Sequence, residues 1–373
     1  GIAAKSNLLM FIMETEPTGA LDIATEGEHL PGISSLLPNS IVLNQHYSTY
    51  PYTTDAIYSL LSGLYPLSRR QVVEHAASDN NLPALFSPLR RAGYLTAAYL
   101  PSLYNAETDD RMFSVFGVDR IYVATRDADS REQALANARA IGVVDELYSQ
   151  HRPPPLDSSL AAKERGDLTR LVRDDLIALD KMKAEMTAAI GGSRAFAMIF
   201  APQISHGPWP HVGDGDLMSR GRQLLLIQDM WLHELVDLLR AAGELDNTII
   251  ILTADHGLRT AQEDPSLKMG YLNSQSFHVP LLIFSTRAFP KPLFVNTATS
   301  HIDVAPSVCF LTGVLSQCGG MQGLPVWESP QSRRVFLFAH GYGGADGFTE
   351  NGMFYMRNQI SGVIHKNSAF DFS

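Results

Sequence analysis

The stretch Leu252-Thr253-Ala254-Asp255-His256-Gly257 sets a carboxylate beside an imidazole directly after an apolar run. Oxygen and nitrogen donors of this kind suit a divalent cation such as zinc or manganese. Taken alone, the same residues also read as a turn with a solvated imidazole, in which Gly257 lets the backbone bend sharply. Glu14 stands in the same relation to the apolar run Leu8–Met13. The ordinary reading of a glutamate there is the exposed end of a strand, and Glu16 fits that reading better still. Tyr52 to Pro66 reads as a short helix closed by Gly63, with Thr53 or Thr54 at its start. A threonine there is either an N-cap or a nucleophile. Free N–H groups and the helix dipole attract an anion at that end, and a metal can acidify the hydroxyl.

Two histidines extend the set. His206 follows the apolar run Ala195–Phe200, in a loop that also holds Pro208 and Pro210. Ser300-His301-Ile302-Asp303 has capping-box spacing, which puts His301 on a first helical turn, free to meet substrate or a second metal. Each also reads as an ordinary loop or helix-start histidine. Lys268 is a further contact for an anion, although a solvated lysine is the simpler reading.

These groups can meet only if the elements before them end on one edge. Leu8–Met13, Ile41–Leu43, Tyr94–Leu100, Ala195–Phe200, Thr248–Leu252, Val279–Phe284 and Val335–Phe338 read as strands. Arg131–Gln150, Leu168–Ile190 and Leu217–Ala242 read as helices between them. Such alternation predicts a mostly parallel sheet with helices on both faces, and ligands in such sheets sit at the carboxyl ends of the strands. Pro153–Pro155 reads as a loop or linker. Met353–Met356 and Ile360–Ile364 suggest a small antiparallel sheet, cut short at Ser373. The expected organisation is a catalytic domain over residues 1–330 and a small C-terminal subdomain over 331–373.

Composition narrows the function classes. The 373 residues suffice for a large core, and the net charge of −10 argues against nucleic acid as the main partner. No apolar run approaches the length of a membrane span. Two cysteines, Cys309 and Cys318, exclude a disulfide scaffold and multi-cysteine zinc ribbons. The chain starts on Gly1 and not Met, which leaves room for a removed signal or anchor segment; membrane anchoring is expected only if such a segment supplied it.

Four blocks, in order, resemble the alkaline phosphatase and sulfatase superfamily, in the branch of arylsulfatases, lipoteichoic acid synthase and phosphoethanolamine transferases. They are Asn7 to Glu14, Thr53 to Pro66, Leu252 to Gly257, and Ser300 to Ser307. The resemblance implies a three-layer α/β/α sandwich with a mostly parallel central sheet, plus a small C-terminal antiparallel sheet. It implies one divalent metal, manganese or zinc before magnesium or calcium, on Glu14, Thr53, Asp255 and His256. It implies Thr53 as nucleophile, His206 as a catalytic and substrate-side histidine, and His301 on the substrate.

In sulfatases the position of Thr53 is a cysteine or serine oxidised to formylglycine. Threonine cannot become that aldehyde, and the accompanying proline and arginine are replaced by Asp55 and Ile57. The pattern thus resembles the threonine-nucleophile transferases, acting on a phosphate ester or phospholipid head group outside the cytoplasm. One departure concerns the arginine of the glycerol-phosphate pocket. Aligned through Phe116-Gly117, Asp109 or a neighbour stands there, with Arg111 close by. Two alternatives stay open: a sulfuric ester hydrolase with an unconventional nucleophile, and an inactive binding protein of the same fold.

Overall fold

The computed structural model describes residues 5–66, 82–102, 112–150, 158–212, 217–258, 274–339, 345–358, 362 and 364–368. Pro153–Pro155, Asp109, Arg111, Lys268 and Ile360 lie outside these residues. The strands in chain order are β1 (Asn7–Met13), β2 (Ser40–Leu43), β3 (His46–Tyr47), β4 (Leu95–Leu100), β5 (Arg120–Val123), β6 (Phe196–Phe200), β7 (Thr248–Ala254) and β8 (His278–Val279). They continue with β9 (Leu281–Phe284), β10 (Leu293–Val295), β11 (Thr299–Ser300), β12 (Val335–Ala339), β13 (Ala345–Glu350), β14 (Met353–Asn358) and β15 (Ile364–Ser368).

Among the described residues, eight strands form one sheet in the order β10-β2-β9-β7-β1-β6-β4-β5. All pairings are parallel except those of β9 with β2 and β7. β1 lies near the centre and is buried throughout. Its side chains alternate between two cores: Leu9, Phe11 and Met13 enter one, Leu8, Met10 and Ile12 the other. A strand buried on both faces reads as a continuous apolar run, which is why β1, β6 and β7 stand out in the sequence. Helices Ser130–Gln150, Ser158–Gly191 and Leu217–Ala241 cover the first face. Helices Thr53–Ser62, Phe86–Arg91 and Val304–Leu311 cover the second. The expected α/β/α sandwich is therefore the observed one.

Several boundaries differ for physical reasons. The helix expected over Leu168–Ile190 starts ten residues earlier, at Ser158, because its first turns are mostly exposed and carry no apolar period. The single strand expected over Val279–Phe284 is two. Pro280 lacks an N–H and divides β8, in the sheet β11-β3-β8, from β9 in the main sheet. β5 and β10 carry little signal in the sequence because they are edge strands of only four and three residues. Cys309 and Cys318 are joined by a disulfide that staples the end of the Val304–Leu311 helix.

The last four strands form an antiparallel sheet in the order β12-β13-β14-β15. Val335, Leu337, Phe354 and Met356 pack on Tyr47, Phe277 and Ala298. The Phe338 N–H donates to the carbonyl of Thr49, four residues before the Thr53–Ser62 helix. A buried ion pair completes the join. Asp303 is fully buried and receives Arg333 at 2.6 and 2.9 Å, together with the N–H groups of Ser300 and Leu324. Removing one member of such a pair strands a charge in the interior. Arg333→Ala is expected to cost about 3–5 kcal/mol of unfolding free energy, measured by urea denaturation. A loss below about 1 kcal/mol would contradict the structural weight given to the pair.

Candidate active site

β1 and β7 run parallel in register, and their last pairs are Ile12 with Thr253 and Met13 with Ala254. The next residues, Glu14 and Asp255, therefore emerge side by side at the carboxyl edge of the sheet. The chain ends are knitted beyond the strands. Asp255 N–H donates to the Met13 carbonyl at 2.9 Å, and Glu16 N–H to the His256 carbonyl at 3.0 Å. Glu14, Asp255 and His256 are buried, and one donor atom from each lies within 4.8 Å of the others.

Their hydrogen bonds orient them. Asp255 Oδ1 accepts from the N–H groups of Thr15 at 2.9 Å and His256 at 2.6 Å, while its Oδ2 is buried with no hydrogen-bond partner among the described residues. His256 Nδ1 lies 2.8 Å from the Gly257 carbonyl. Only a protonated Nδ1 can donate there, so in the neutral ring the lone pair belongs to Nε2. That Nε2 lies 3.7 Å from Glu14 Oε1, 3.5 Å from Asp255 Oδ2 and 3.5 Å from Thr53 Oγ1. Four donors at about 2.0–2.2 Å around a tetrahedral cation stand about 3.3–3.6 Å apart. The orphaned carboxylate oxygen, the tautomer and the spacings all fit a divalent cation on Glu14, Thr53, Asp255 and His256.

Thr53 departs from the simple expectation of an N-cap. Tyr52 is the cap, with no side-chain capping bond, and Thr53 is the first helical residue. Its hydroxyl is therefore not engaged in capping and faces His256. Gly63 closes the helix as expected, with a φ of 67°. Thr53, Glu14 and Asp255 line one cleft with Thr54, Ser102 and Gln203.

The other sequence candidates separate. His206 is half-buried and lines a different cavity, with Trp209, His211 and the Ser158–Gly191 helix. Its turn is continuous with the cleft through the His206 N–H to Gln203 carbonyl bond. His301 is not the open ring expected of a first-turn histidine. It is fully buried, with its ring 5.2 Å from that of His46, and burial pushes its pKa down to about 3. Glu16 is not exposed either. Its N–H bond to His256 turns the chain inward, and burial raises its carboxyl pKa well above the ordinary range. Gly257 is needed for close approach, since an added Cβ would stand 1.8 Å from the Gln275 carbonyl oxygen.

Thr15 escaped the sequence reading. It holds a left-handed φ of 48°, uncommon for a β-branched residue and of the kind found at functional sites. Its N–H binds Asp255, and its hydroxyl donates to Glu14 Oε1 at 2.6 Å. One strained residue thus sets both carboxylates.

The α/β/α fold thus sets an acidic and imidazole cluster against a helix-start hydroxyl. The chain belongs to the Sulfatase family, which matches over residues 6–314. Among curated proteins it resembles Arylsulfatase K of Danio rerio, 35% identical over 95 residues, which are 26% of this chain and 18% of that protein. It also resembles the lipoteichoic acid synthase-like YvgJ of Bacillus subtilis (strain 168), 20% identical over 333 residues, which are 84% of this chain and 48% of that one. The chain therefore spans less than half the length of these relatives.

Among solved structures, the lipoteichoic acid synthase LtaP from Listeria monocytogenes aligns with a TM-score of 0.67 at 16% identity, covering 97% of this chain and 87% of that one. The phosphonate monoester hydrolase SpPMH from Silicibacter pomeroyi aligns with a TM-score of 0.67 at 17% identity, covering 98% and 89%. At such identities the structural likeness shows the fold. The superfamily and sandwich expected from the sequence are those observed.

Asp255→Asn protein, purified with manganese or zinc, is expected to lose most of the metal that elemental analysis finds in the wild type. Undiminished content would sink the ligand set. Thr15→Val keeps the shape but leaves Glu14 without its hydroxyl donor. It should weaken metal binding by about 10–100-fold in a chelator-competition titration, and an unchanged affinity would contradict the positioning role.

Proposed function

We propose that the protein is a phosphoric ester hydrolase or phosphoryl transferase working through a covalent phosphothreonine at Thr53. The observation that carries this reading is the Thr53 hydroxyl itself. It sits on the first turn of a helix, free of capping, 3.5 Å from His256 Nε2 and in one cleft with Glu14 and Asp255. A divalent cation held by Glu14, Asp255, His256 and Thr53 would supply charge neutralisation and acidify the hydroxyl.

Thr53 Oγ1 attacks phosphorus in line. Oγ1 gives up its proton to solvent as the Oγ1–P bond forms and the bond from phosphorus to the leaving oxygen breaks; the threonine proton is restored when the Oγ1–P bond is later opened. The leaving oxygen takes up a proton. His206, half-buried on the turn beside the cleft, suits this proton transfer better than the enclosed His301. Attack by water or an acceptor alcohol then breaks the Oγ1–P bond and restores the threonine. The helix N-terminus favours the negative charge on the phosphoryl oxygens throughout.

A phosphate ester fits this nucleophile better than a sulfate ester. Release of sulfate from a formylglycine hydrate uses the hydrate's second hydroxyl, which Thr53 lacks, whereas phosphothreonine opens by attack at phosphorus. The family resemblance supports a location outside the cytoplasm. The Cys309–Cys318 disulfide supports that location, because such bonds persist mainly in oxidising compartments.

Thr53→Ala is expected to lower turnover of an aryl phosphate ester by about three orders of magnitude or more, with an unfolding midpoint close to that of the wild type. Thr54→Ala should retain far more activity. Essential Thr54 with dispensable Thr53 would move the nucleophile by one position. In a metal-supplemented comparison, aryl phosphate esters should be turned over faster than the matching aryl sulfate. Equal or faster sulfate turnover, with Thr53 unmodified by mass spectrometry, would contradict the reading.

A further inference from the structure

The cleft holds a second polar pair that the metal cluster does not use. Ser102 lies just beyond β4 and Gln203 just beyond β6. These strands are neighbours, with Tyr99 opposite Phe200, so the two residues meet past the paired ends. Ser102 Oγ donates to Gln203 Oε1 at 2.5 Å, and Gln203 Nε2 donates to the Ser102 carbonyl at 3.3 Å. The opposed bonds define which end of the amide is which. Both residues line the cleft of Thr53 and Glu14, and Gln203 is 6% exposed.

Gln203 is held from behind. Its N–H donates to Asp175 Oδ1 at 2.8 Å, and the same carboxylate takes the N–H of Ile204. Asp175 belongs to the Ser158–Gly191 helix and is fully buried. Burial of a carboxylate is costly, and burial raises its pKa well above the ordinary range despite these bonds. What that cost secures is the direction of the loop that carries Gln203 into the cleft.

Among the described residues, once these bonds are made, one N–H of Gln203 Nε2 and the lone pairs of Ser102 Oγ remain. A donor next to an acceptor complements a hydroxyl, which both accepts and donates. An ester or phosphoryl oxygen only accepts, so it satisfies the amide but faces the Ser102 lone pairs. Around the pair the cleft wall is apolar, with Ile57, Leu100 and Phe113. We propose that Gln203 and Ser102 form a hydroxyl-binding subsite beside Thr53, selecting esters whose carbon chain carries a free hydroxyl, with Asp175 as the positioning residue. The proposal rests on the phosphoester reading above.

The test compares two p-nitrophenyl phosphodiesters, one n-propyl and one 3-hydroxypropyl, with manganese-loaded protein. The wild type should favour the hydroxypropyl ester in kcat/KM by about tenfold or more. Gln203→Leu should pull the ratio towards one, mainly through loss on the hydroxypropyl ester. Asp175→Ala should lower the preference and Asp175→Asn, which keeps an acceptor oxygen, should largely restore it. A wild-type ratio near one, or a Gln203→Leu protein with normal metal content and the wild-type ratio, would overturn the subsite. If Gln203→Leu does not fold, Ser102→Ala, at a half-buried position, carries the same ratio test. Turnover of neither ester by the wild type would sink the phosphoester reading and this proposal with it, an outcome distinct from equal turnover of both.

Discussion

Two carboxylates, Glu14 and Asp255, are buried together with His256 at one rim of the sheet. Removing such groups from water costs several kcal/mol each unless something compensates them. The chain supplies part of the compensation: the Thr15 hydroxyl to Glu14 and the Thr15 and His256 N–H groups to Asp255; the His256 Nε2 lone pair faces both acids and adds none. None of these brings a fixed positive charge. A divalent cation would complete the arrangement, and the Thr53 hydroxyl stands where it would be the fourth donor of the proposed set.

The fold is organised around that rim. Parallel pairing of β1 with β7, in a register unbroken from Asn7 and Thr248 to Met13 and Ala254, puts the two acids opposite one another without any loop adjustment. A shift by one residue would turn the alternate side chains to the wrong core and separate the acids. The opposite helical layer brings in Thr53, the proposed nucleophile. The Thr53–Ser62 helix packs through Ile57, Leu60 and Leu61 in the same core as Val304, Ala305 and Val308. Asp303 and Arg333 then tie that layer to the C-terminal sheet. Loss of precision in any of these contacts changes the distance between hydroxyl and metal ligands, which is the quantity on which chemistry depends.

Much of this was legible in the residues. β1, β6 and β7 are continuous apolar runs because both faces are covered, and the acid or imidazole after each run marks the functional edge. A helix starting at Thr53 or Thr54 and closed by Gly63 was legible through helix punctuation, and the resemblance singled out Thr53. Other features depend on tertiary partners and leave no local trace. Glu16 reads as an exposed carboxylate until the His256 carbonyl draws its N–H inward. His301 reads as an open first-turn histidine until His46 is packed against it. Thr15 offers nothing in its type or spacing, since its role follows from a backbone angle. Edge strands β5 and β10 are mostly apolar but only four and three residues long, too short for a periodic signal to stand out.

Anomalous diffraction from crystals grown with manganese decides whether one cation joins Glu14, Thr53, Asp255 and His256. A single strong peak is expected at this rim, within about 2.0–2.3 Å of a donor atom from each of the four residues, Thr53 Oγ1 included. A peak coordinated by the acids and His256 but remote from Thr53, or no peak at this rim at full manganese occupancy elsewhere, would contradict that four-residue site.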